Sequence, residues 1–308
     1  MPRAGRRPPG AVCLKEKYMY LCDQWRDYEV LDTGDGEKLE RWGKILLRRP
    51  DPQVIWPKAR PELWKKAQAT YTRSETGGGH WDFREKLPDK WTIGLDGLKF
   101  YVRPTGFKHT GLFPEQAANW AFMQEQIRSA SGWKRQPRVL NLFAYTGGAT
   151  LACAAAGAHV THVDAAKGMV LWAKENRDLS GIPEENTRFI IEDAKAFVQR
   201  ELRRGNHYDG ILMDPPSYGR GPNGEVWKLE NELYGLVDLC AQAMSDTPLF
   251  FLINGYTTGF SYTVLQNVAQ RCLCSRYGGR AEADDLALAV TSGGVLPCGA
   301  TARWTPHD

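Results

Sequence analysis

Five short apolar runs in the second half of the chain constrain its fold more than any other feature. Val139 to Phe143, His159 to Val163, Arg188 to Ile191, Tyr208 to Met213 and Leu249 to Ile253 are each strand-sized. Stretches of helical periodicity separate them, among them Met169 to Asp178 and Ala194 to Arg204. Strands joined through helices run parallel with right-handed crossovers, so an α/β, doubly wound sheet is expected. After a helix near Tyr262 to Cys272, the segments Asp285 to Thr291 and Gly294 to Trp304 read as two strands around Ser292-Gly-Gly. They close the sheet with an antiparallel edge and bring it to a mostly parallel seven strands.

A different pattern precedes this alternation. Tyr28 to Asp32 and Lys38 to Arg48 flank a Thr-Gly-Asp-Gly turn and read as a hairpin of short strands. Trp91 to Leu95 and Leu98 to Val102 flank Asp96-Gly97, a strong hairpin turn. Helical periodicity begins near Pro114, placing Trp120, Phe122, Met123 and Ile127 near one face. The organisation expected is a flexible basic tail over 1–20, a small antiparallel β-rich domain over 21–107 and the α/β domain over 108–308. The N-terminus lacks the apolar run of a secretory signal, and no apolar stretch is long enough to span a bilayer. Seven scattered cysteines without a CxxC spacing suit a reducing cytoplasm and no metal site. Residues 1–110 carry 22 Lys/Arg against 15 Asp/Glu, whereas the rest carry 18 against 21, so the excess of +4 comes from the N-terminal part. Such a basic face attracts polyanions, and nucleic acid is a candidate partner.

In an open parallel sheet, ligands bind beyond the carboxyl ends of the strands. Tyr145-Thr-Gly-Gly148 follows the first strand there, and Gly147 and Gly148 would let the backbone approach a ligand closely. Ala149 and Thr150 follow these glycines and the next is Gly157, so the turn forms no GxGxxG, and no Gly-Lys-Ser/Thr is present; the turn suits a ligand without phosphates. The second strand ends at Asp164, placed to accept both ribose hydroxyls of an adenosine, and the third at Asp193, placed to accept from an adenine amine. Helix capping is the rival reading for both acids. Asp214 ends the fourth strand, in Asp214-Pro-Pro-Ser-Tyr218. Pro215 and Pro216 stiffen the backbone and donate no N–H, which makes the carbonyls here fixed acceptors. Asp214 with these carbonyls can orient an amine or ring N–H, and Tyr218 is placed to stack on a planar base. A sharp, stiff turn is the structural alternative. The glycine-rich loop from Gly219 to Lys228 reads as a lid, a nucleic-acid contact or a solvated loop.

With Lys108-His-Thr-Gly-Leu-Phe-Pro-Glu-Gln116 added, this ordered set resembles the class I S-adenosylmethionine-dependent methyltransferases. Within them it is similar to the 23S rRNA cytosine-C5 and guanine-N7 methyltransferase-like group, over roughly residues 95–308. The resemblance implies S-adenosyl-L-methionine as cofactor. It places Gln116, Phe143, Tyr145, Thr146 and Gly147 at the methionine end, Asp164 on the ribose and Asp193 on the adenine, with Phe113, Gly148, Ala165, Ala194 and Asp214 completing the set. It also implies an RNA partner, ribosomal RNA first. Methylation at cytosine C5 needs a cysteine thiolate. The segment after the fifth strand reads Asn254-Gly-Tyr-Thr-Thr-Gly259, without one, and Cys240 is expected to be buried on a helix. A nitrogen target is therefore expected. A methyltransferase for a protein or small-molecule nitrogen shares every cofactor feature, and a non-catalytic RNA-binding protein that keeps the fold is a further alternative. The oligomeric state is left open.

Overall fold

The structure, a computed structural model, describes residues 19–74, 78–220, 226–257 and 259–306. The expected basic tail therefore lies outside the described residues up to residue 18. The first strand, β1 (Tyr20–Cys22), leads into a meander of β2 (Tyr28–Gly34), β3 (Glu37–Trp42) and β4 (Ile45–Pro50). Asp35 and Gly36 make its first turn with φ of 54° and 78°, the left-handed pair that matches the twist of two adjoining strands. A short helix α1 (Pro61–Trp64) precedes β5 (Ala69–Arg73) and β6 (Gly79–Phe83). β5 pairs in parallel with β4 and antiparallel with β6, giving a five-stranded sheet in the order β2-β3-β4-β5-β6. The sequence reading found only the hairpin at its start. It missed β5 and β6, although the alternation in Ala69-Thr-Tyr-Thr-Arg73 is visible. The hairpin of β7 (Trp91–Leu95) and β8 (Leu98–Val102) turns at Asp96-Gly97 as expected.

The α/β part runs α2 (Ala117–Ser129), β9 (Arg138–Leu142), α3 (Gly148–Ala155), β10 (His159–Asp164), α4 (Lys167–Leu179) and β11 (Thr187–Ile191). It continues through α5 (Ala194–Arg203), β12 (Gly210–Met213), the small hairpin β13 (Tyr218–Arg220) and β14 (Val226–Lys228), α6 (Leu229–Gln242) and β15 (Phe250–Gly255). α7 (Tyr262–Ala269) widens into a π-helical turn over 270–274, and β16 (Arg280–Ala289) and β17 (Val295–Thr305) follow. The central sheet has the order β1-β16-β17-β15-β12-β9-β10-β11. Strands 9, 10, 11, 12 and 15 are mutually parallel, and β17 runs antiparallel to both neighbours. These are the seven expected strands. The eighth, β1, pairs with β16 at the edge, so the chain enters the α/β sheet before it builds the β-rich one.

The two sheets share one core. Tyr28, Trp42 and Phe100 from the N-terminal part pack in the same buried cluster as Trp120, Leu151, Phe250 and Leu288. Trp25 sits edge-on to Trp120 and Phe100, and its Nε1 donates to the Pro114 carbonyl at 2.9 Å. At the far end of β16, Ser292 Oγ donates to Asp32 Oδ1 at 2.6 Å, and Thr291 N donates to the Val30 carbonyl. Between these seams lies a buried ion pair. Arg49 grips both oxygens of Glu40 at 2.6 and 2.8 Å, and Tyr28 Oη donates to the same carboxylate at 2.6 Å. The remaining Arg49 nitrogen, Nη1, donates to the Lys108 carbonyl at 2.8 Å, tying the meander to the segment that opens the α/β part.

Burial alone would raise the Glu40 carboxyl, but Arg49, Lys38 and the two hydrogen-bond donors hold it down at about 2. Its folded value lies below its unfolded one, so the stability it contributes is present above about 4.5 and lost as pH falls toward 2. Glu40→Gln leaves the guanidinium buried without its charge partner. Urea unfolding at pH 7 is expected to show a loss of about 3–5 kcal/mol, shrinking as pH approaches 2. An unchanged midpoint at pH 7 would remove this pair from the seam.

Candidate active site

The chain leaves β9 through a turn of alternating handedness. Phe143, Tyr145 and Gly147 have φ of 55°, 51° and 87°. Only glycine adopts this region freely, so the two aromatic residues must be held there by their surroundings. The Tyr145 N–H donates to Asp164 Oδ2 at 2.8 Å and the Ala144 N–H to the Val163 carbonyl at 3.1 Å, which ties the turn to the end of β10. Thr146 Oγ1 donates to the Gly111 carbonyl, and Asn176 Nδ2 donates to the Thr146 carbonyl at 2.9 Å. The glycines are also required by packing. A Cβ on Gly148 would lie 2.5 Å from the Trp120 ring, and one on Gly147 would lie 3.0 Å from the Ala173 methyl. Close packing of α2 leaves no room for a side chain at Gly148, and a left-handed φ with the Ala173 methyl of α4 close by disfavours one at Gly147.

A cleft of about 1230 Å³ opens beyond the strand ends, between the two sheets. It exceeds the roughly 300–1,000 Å³ usual for one small ligand, leaving room for two reactants. Of the expected residues, Phe113, Phe143, Tyr145, Asp164, Ala165, Asp193, Asp214, Pro215 and Pro216 line it. Gln116, Thr146, Gly147, Gly148 and Ala194 do not; they stand behind the wall. Gln116 Nε2 donates to Tyr256 Oη at 2.6 Å, and its Oε1 accepts from Asn119 and Asn254 at 2.9 and 3.1 Å. Gln116 thereby sets the position of Tyr256, which faces the cleft. Tyr218 lies outside the lining with its side chain 52% exposed. Trp227 stands in the cleft instead, tilted on Phe143 at 5.7 Å. Its Nε1 donates to the Pro216 carbonyl at 2.6 Å, which occupies one of that carbonyl's two lone pairs. The loop read as a lid is the β13–β14 hairpin, whose tip at 221–225 lies outside the described residues.

The acids divide into two kinds. Asp164 accepts from the Tyr145 and Ala166 amides, and Ala166, not Asp164, caps α4. Asp193 does cap α5, accepting from the Ala196 N–H at 2.9 Å, and still faces the cleft, so the two readings of that residue coexist. Asp214 is different: burial and the neighbouring Glu115 charge push its carboxyl up to about 7. Glu115 is itself raised, chiefly by burial. The sequence reading passed over Glu115, although it stands in the segment from Lys108 to Gln116. It also passed over Tyr256, two residues after Asn254, where only a cysteine was sought. Cys240 is buried as expected, but β17 brings Cys298 into the cleft lining. Burial and the Glu115 charge push that thiol well above its ordinary range.

This wall fits S-adenosylmethionine. Asp164 spends one lone pair on each of two amides and keeps acceptor capacity toward the cleft. Glu115, Asp164, Glu192, Asp193 and Asp214 gather five carboxyl groups beside the aromatic faces of Phe113, Phe143 and Tyr145, a surround suited to a ligand with positive charge and a planar ring.

Asp214 binds its proton more tightly in the folded state than in the unfolded one, so on its account stability falls as pH rises from about 4 to about 7. Asp214→Asn is expected to stabilise the free protein by about 1–2 kcal/mol at pH 8, allowing for solvent screening. Urea melts should show the gap closing toward pH 4, and a destabilised variant at pH 8 would contradict this environment for Asp214.

Comparison with known proteins agrees with this geometry. The model of the S-adenosylmethionine-dependent methyltransferase family matches residues 68–270. Ribosomal RNA large subunit methyltransferase K of Neisseria meningitidis is 28% identical over 231 residues, covering 72% of this chain and 63% of that protein. Ribosomal RNA large subunit methyltransferase I of Photobacterium profundum is 31% identical over 135 residues, 44% of this chain and 32% of that protein. The chain thus spans less than two thirds of the length of these relatives. A crystal structure of the SAM-dependent methyltransferase from Agrobacterium tumefaciens superposes with a TM-score of 0.87 at 37% identity, covering 93% of this chain and 92% of that one. A Streptococcus mutans structure, 15% identical with a TM-score of 0.69, shares the fold over 92% of this chain and 76% of its own. With more than half of its length under the family model and an acid-lined cleft at the strand ends, the chain belongs to the S-adenosylmethionine-dependent methyltransferases.

Proposed function

We propose that the chain methylates a base of ribosomal RNA, at nitrogen rather than carbon. The observation that bears most on this is Asp214, a carboxyl poised near 7 at the end of β12, in a cleft with room for a second reactant. The names of the relatives above supply the acceptor class. In this reading residues 21–107 grip RNA and 108–308 hold the catalytic site, and the expected place of action is the cytoplasm. No helix among the described residues is long and apolar enough to cross a membrane.

The cofactor, when bound, supplies an electrophilic methyl group on a positively charged sulfur. Asp164 would hold the ribose hydroxyls and Asp193 the adenine amine, with Ala165 between them. Phe113, Phe143 and Tyr145 would pack around the cofactor, while Gln116, Thr146, Gly147, Gly148 and Ala194 keep that wall in shape from behind. Ionised Asp214 accepts a hydrogen bond from the target N–H, which aims the nitrogen lone pair, and takes the proton released as substitution at nitrogen completes. Pro215 and Pro216 keep its backbone from relaxing. Trp227 on Phe143 offers a flat face for a base at the site where Tyr218 was expected to stack. Burial and the Glu115 charge raise the Cys298 thiol and so disfavour the thiolate that methylation at cytosine C5 needs, which favours nitrogen.

Because Asp214 acts ionised, the rate is expected to rise with pH through about 7 and then level off. Asp214→Asn should lower kcat by about 10²–10⁴-fold, measured as methyl transfer to ribosomal RNA lacking the modification. Cys298→Ser should keep activity; its loss would redirect the reading to carbon. Mass spectrometry of ribosomal RNA nucleosides from cells with and without the gene checks the acceptor, and no changed nucleoside would count against RNA.

A further inference from the structure

The charges on the cleft are sorted by wall. The α/β side presents five carboxyl groups, whereas the N-terminal side presents Lys38, Arg49 and Arg73 against Glu40 and Asp51, with Lys108 beside these cations where the two parts join. Arg49 is taken up by Glu40, and Lys38 pairs with Asp51 at 3.3 Å. Arg73 and Lys108 make no side-chain hydrogen bond or ion pair among the described residues, and both line the cleft. Lys108 is partly buried. Burial and Lys38, and less strongly Arg49 and Arg73, push its ammonium pKa down against the opposing pull of Asp51, so like charges outnumber the acid beside it and an anion would relieve them.

These two cations begin a longer run. In the β5–β6 register Arg73, Tyr71 and Ala69 face Gly79, Trp81 and Phe83, so Arg73, Trp81 and Phe83 point to one side of the sheet at its edge strand. Trp81 stacks on Phe83 at 6.4 Å, and its Nε1 donates to the carbonyls of Thr105 and Phe107 at 2.9 and 3.2 Å. That pins the loop carrying Phe107 and Lys108 onto the same side. Phe83 and Phe107 are 52% and 66% exposed. Two exposed aromatic rings therefore lead to two cations that are unpaired among the described residues, and these lead into the cleft that Asp214 also lines. Exposed rings stack bases without sequence preference and cations hold the phosphates between them, the pattern of a single-strand binding surface.

We propose that this run is a track for a single-stranded segment of RNA. Phe83 and Phe107 stack bases outside the cleft, and Arg73 with Lys108 holds the phosphate of the nucleotide whose base enters toward Asp214. The proposal rests on the RNA reading above and names the surface by which that acceptor is held. The acidic wall takes the cationic cofactor and repels phosphate, so the basic wall also sets the direction in which the nucleotide enters.

The test uses the full chain, a fluorescein-labelled single-stranded RNA of about 12 nucleotides and a matching duplex, with anisotropy read across a salt series. S-adenosylhomocysteine affinity by calorimetry serves as the folding control and is expected to stay within about threefold of wild type in every variant. Arg73→Met with Lys108→Met should weaken single-strand binding about tenfold or more and reduce the slope of log K against log salt by about 0.7, the contribution of the one phosphate they hold in a single strand. Phe83→Ala with Phe107→Ala should weaken it at least fivefold or so with the slope unchanged, because stacking releases no counterions. Equal affinity and slope in both double variants would overturn the track while leaving RNA as acceptor. Duplex bound as tightly as single strand would also overturn it. Cofactor binding without any RNA binding by the wild type would overturn the acceptor reading, and the track with it.

Discussion

The cleft depends on one hydrogen bond more than on any other, the Tyr145 amide donated to Asp164. Two non-glycine residues in the left-handed region cost on the order of 1–3 kcal/mol each, and such strain persists only where the surroundings over-determine it. Here Asp164 holds Tyr145 from the end of the next strand, and Thr146 is fixed on both sides by Gly111 and Asn176. The same carboxylate faces the cleft, so the group that maintains the turn is also the group offered to the cofactor. Packing completes the constraint. With Trp120 and Ala173 pressed against Gly148 and Gly147, the turn has no space in which to relax.

The electrostatic character of the site follows from where the two sheets meet. Carboxyl groups collect at the carboxyl ends of parallel strands, while the five-stranded sheet contributes cations from β3, β4 and β5. The buried Glu40–Arg49 pair lies on that boundary. By donating also to the Lys108 carbonyl, Arg49 fixes the segment that carries Phe113, Glu115 and Gln116. A fully desolvated ion pair is seldom a net source of stability against an apolar substitute, but it admits only one arrangement of its partners. Registry between the two parts of the cleft is what such a pair secures.

Much of this was legible beforehand because it is local. Periodicity of 2 and 3.6 residues is written along the chain, and the strand ends follow from it, so Asp164, Asp193 and Asp214 could be placed on one rim without coordinates. Cofactor class was legible in the same way, from a turn without a phosphate pattern followed by acids in order. Strand β1 escaped notice because three residues carry too little periodicity, and only pairing with β16 makes them a strand. Cys298 escaped because it reaches the cleft from β17, remote in sequence from the motifs beside it, and Trp227 because nothing in the Gly219 to Lys228 loop says that its ring folds back onto Phe143.

The sequence by itself determined the sheet, the order of its acids and the family, since all three depend on residue type and spacing along one strand or turn. Tertiary structure alone decided how those residues act. Burial beside Glu115, a neighbour about a hundred positions away in the chain, takes the Asp214 carboxyl from an ordinary acid to one near 7. Folding also packed Trp120 and Ala173 against the glycines and placed Gln116 behind Tyr256. Desolvation, charge proximity and steric contact depend on distances between segments far apart in the chain, and a linear text does not contain those distances.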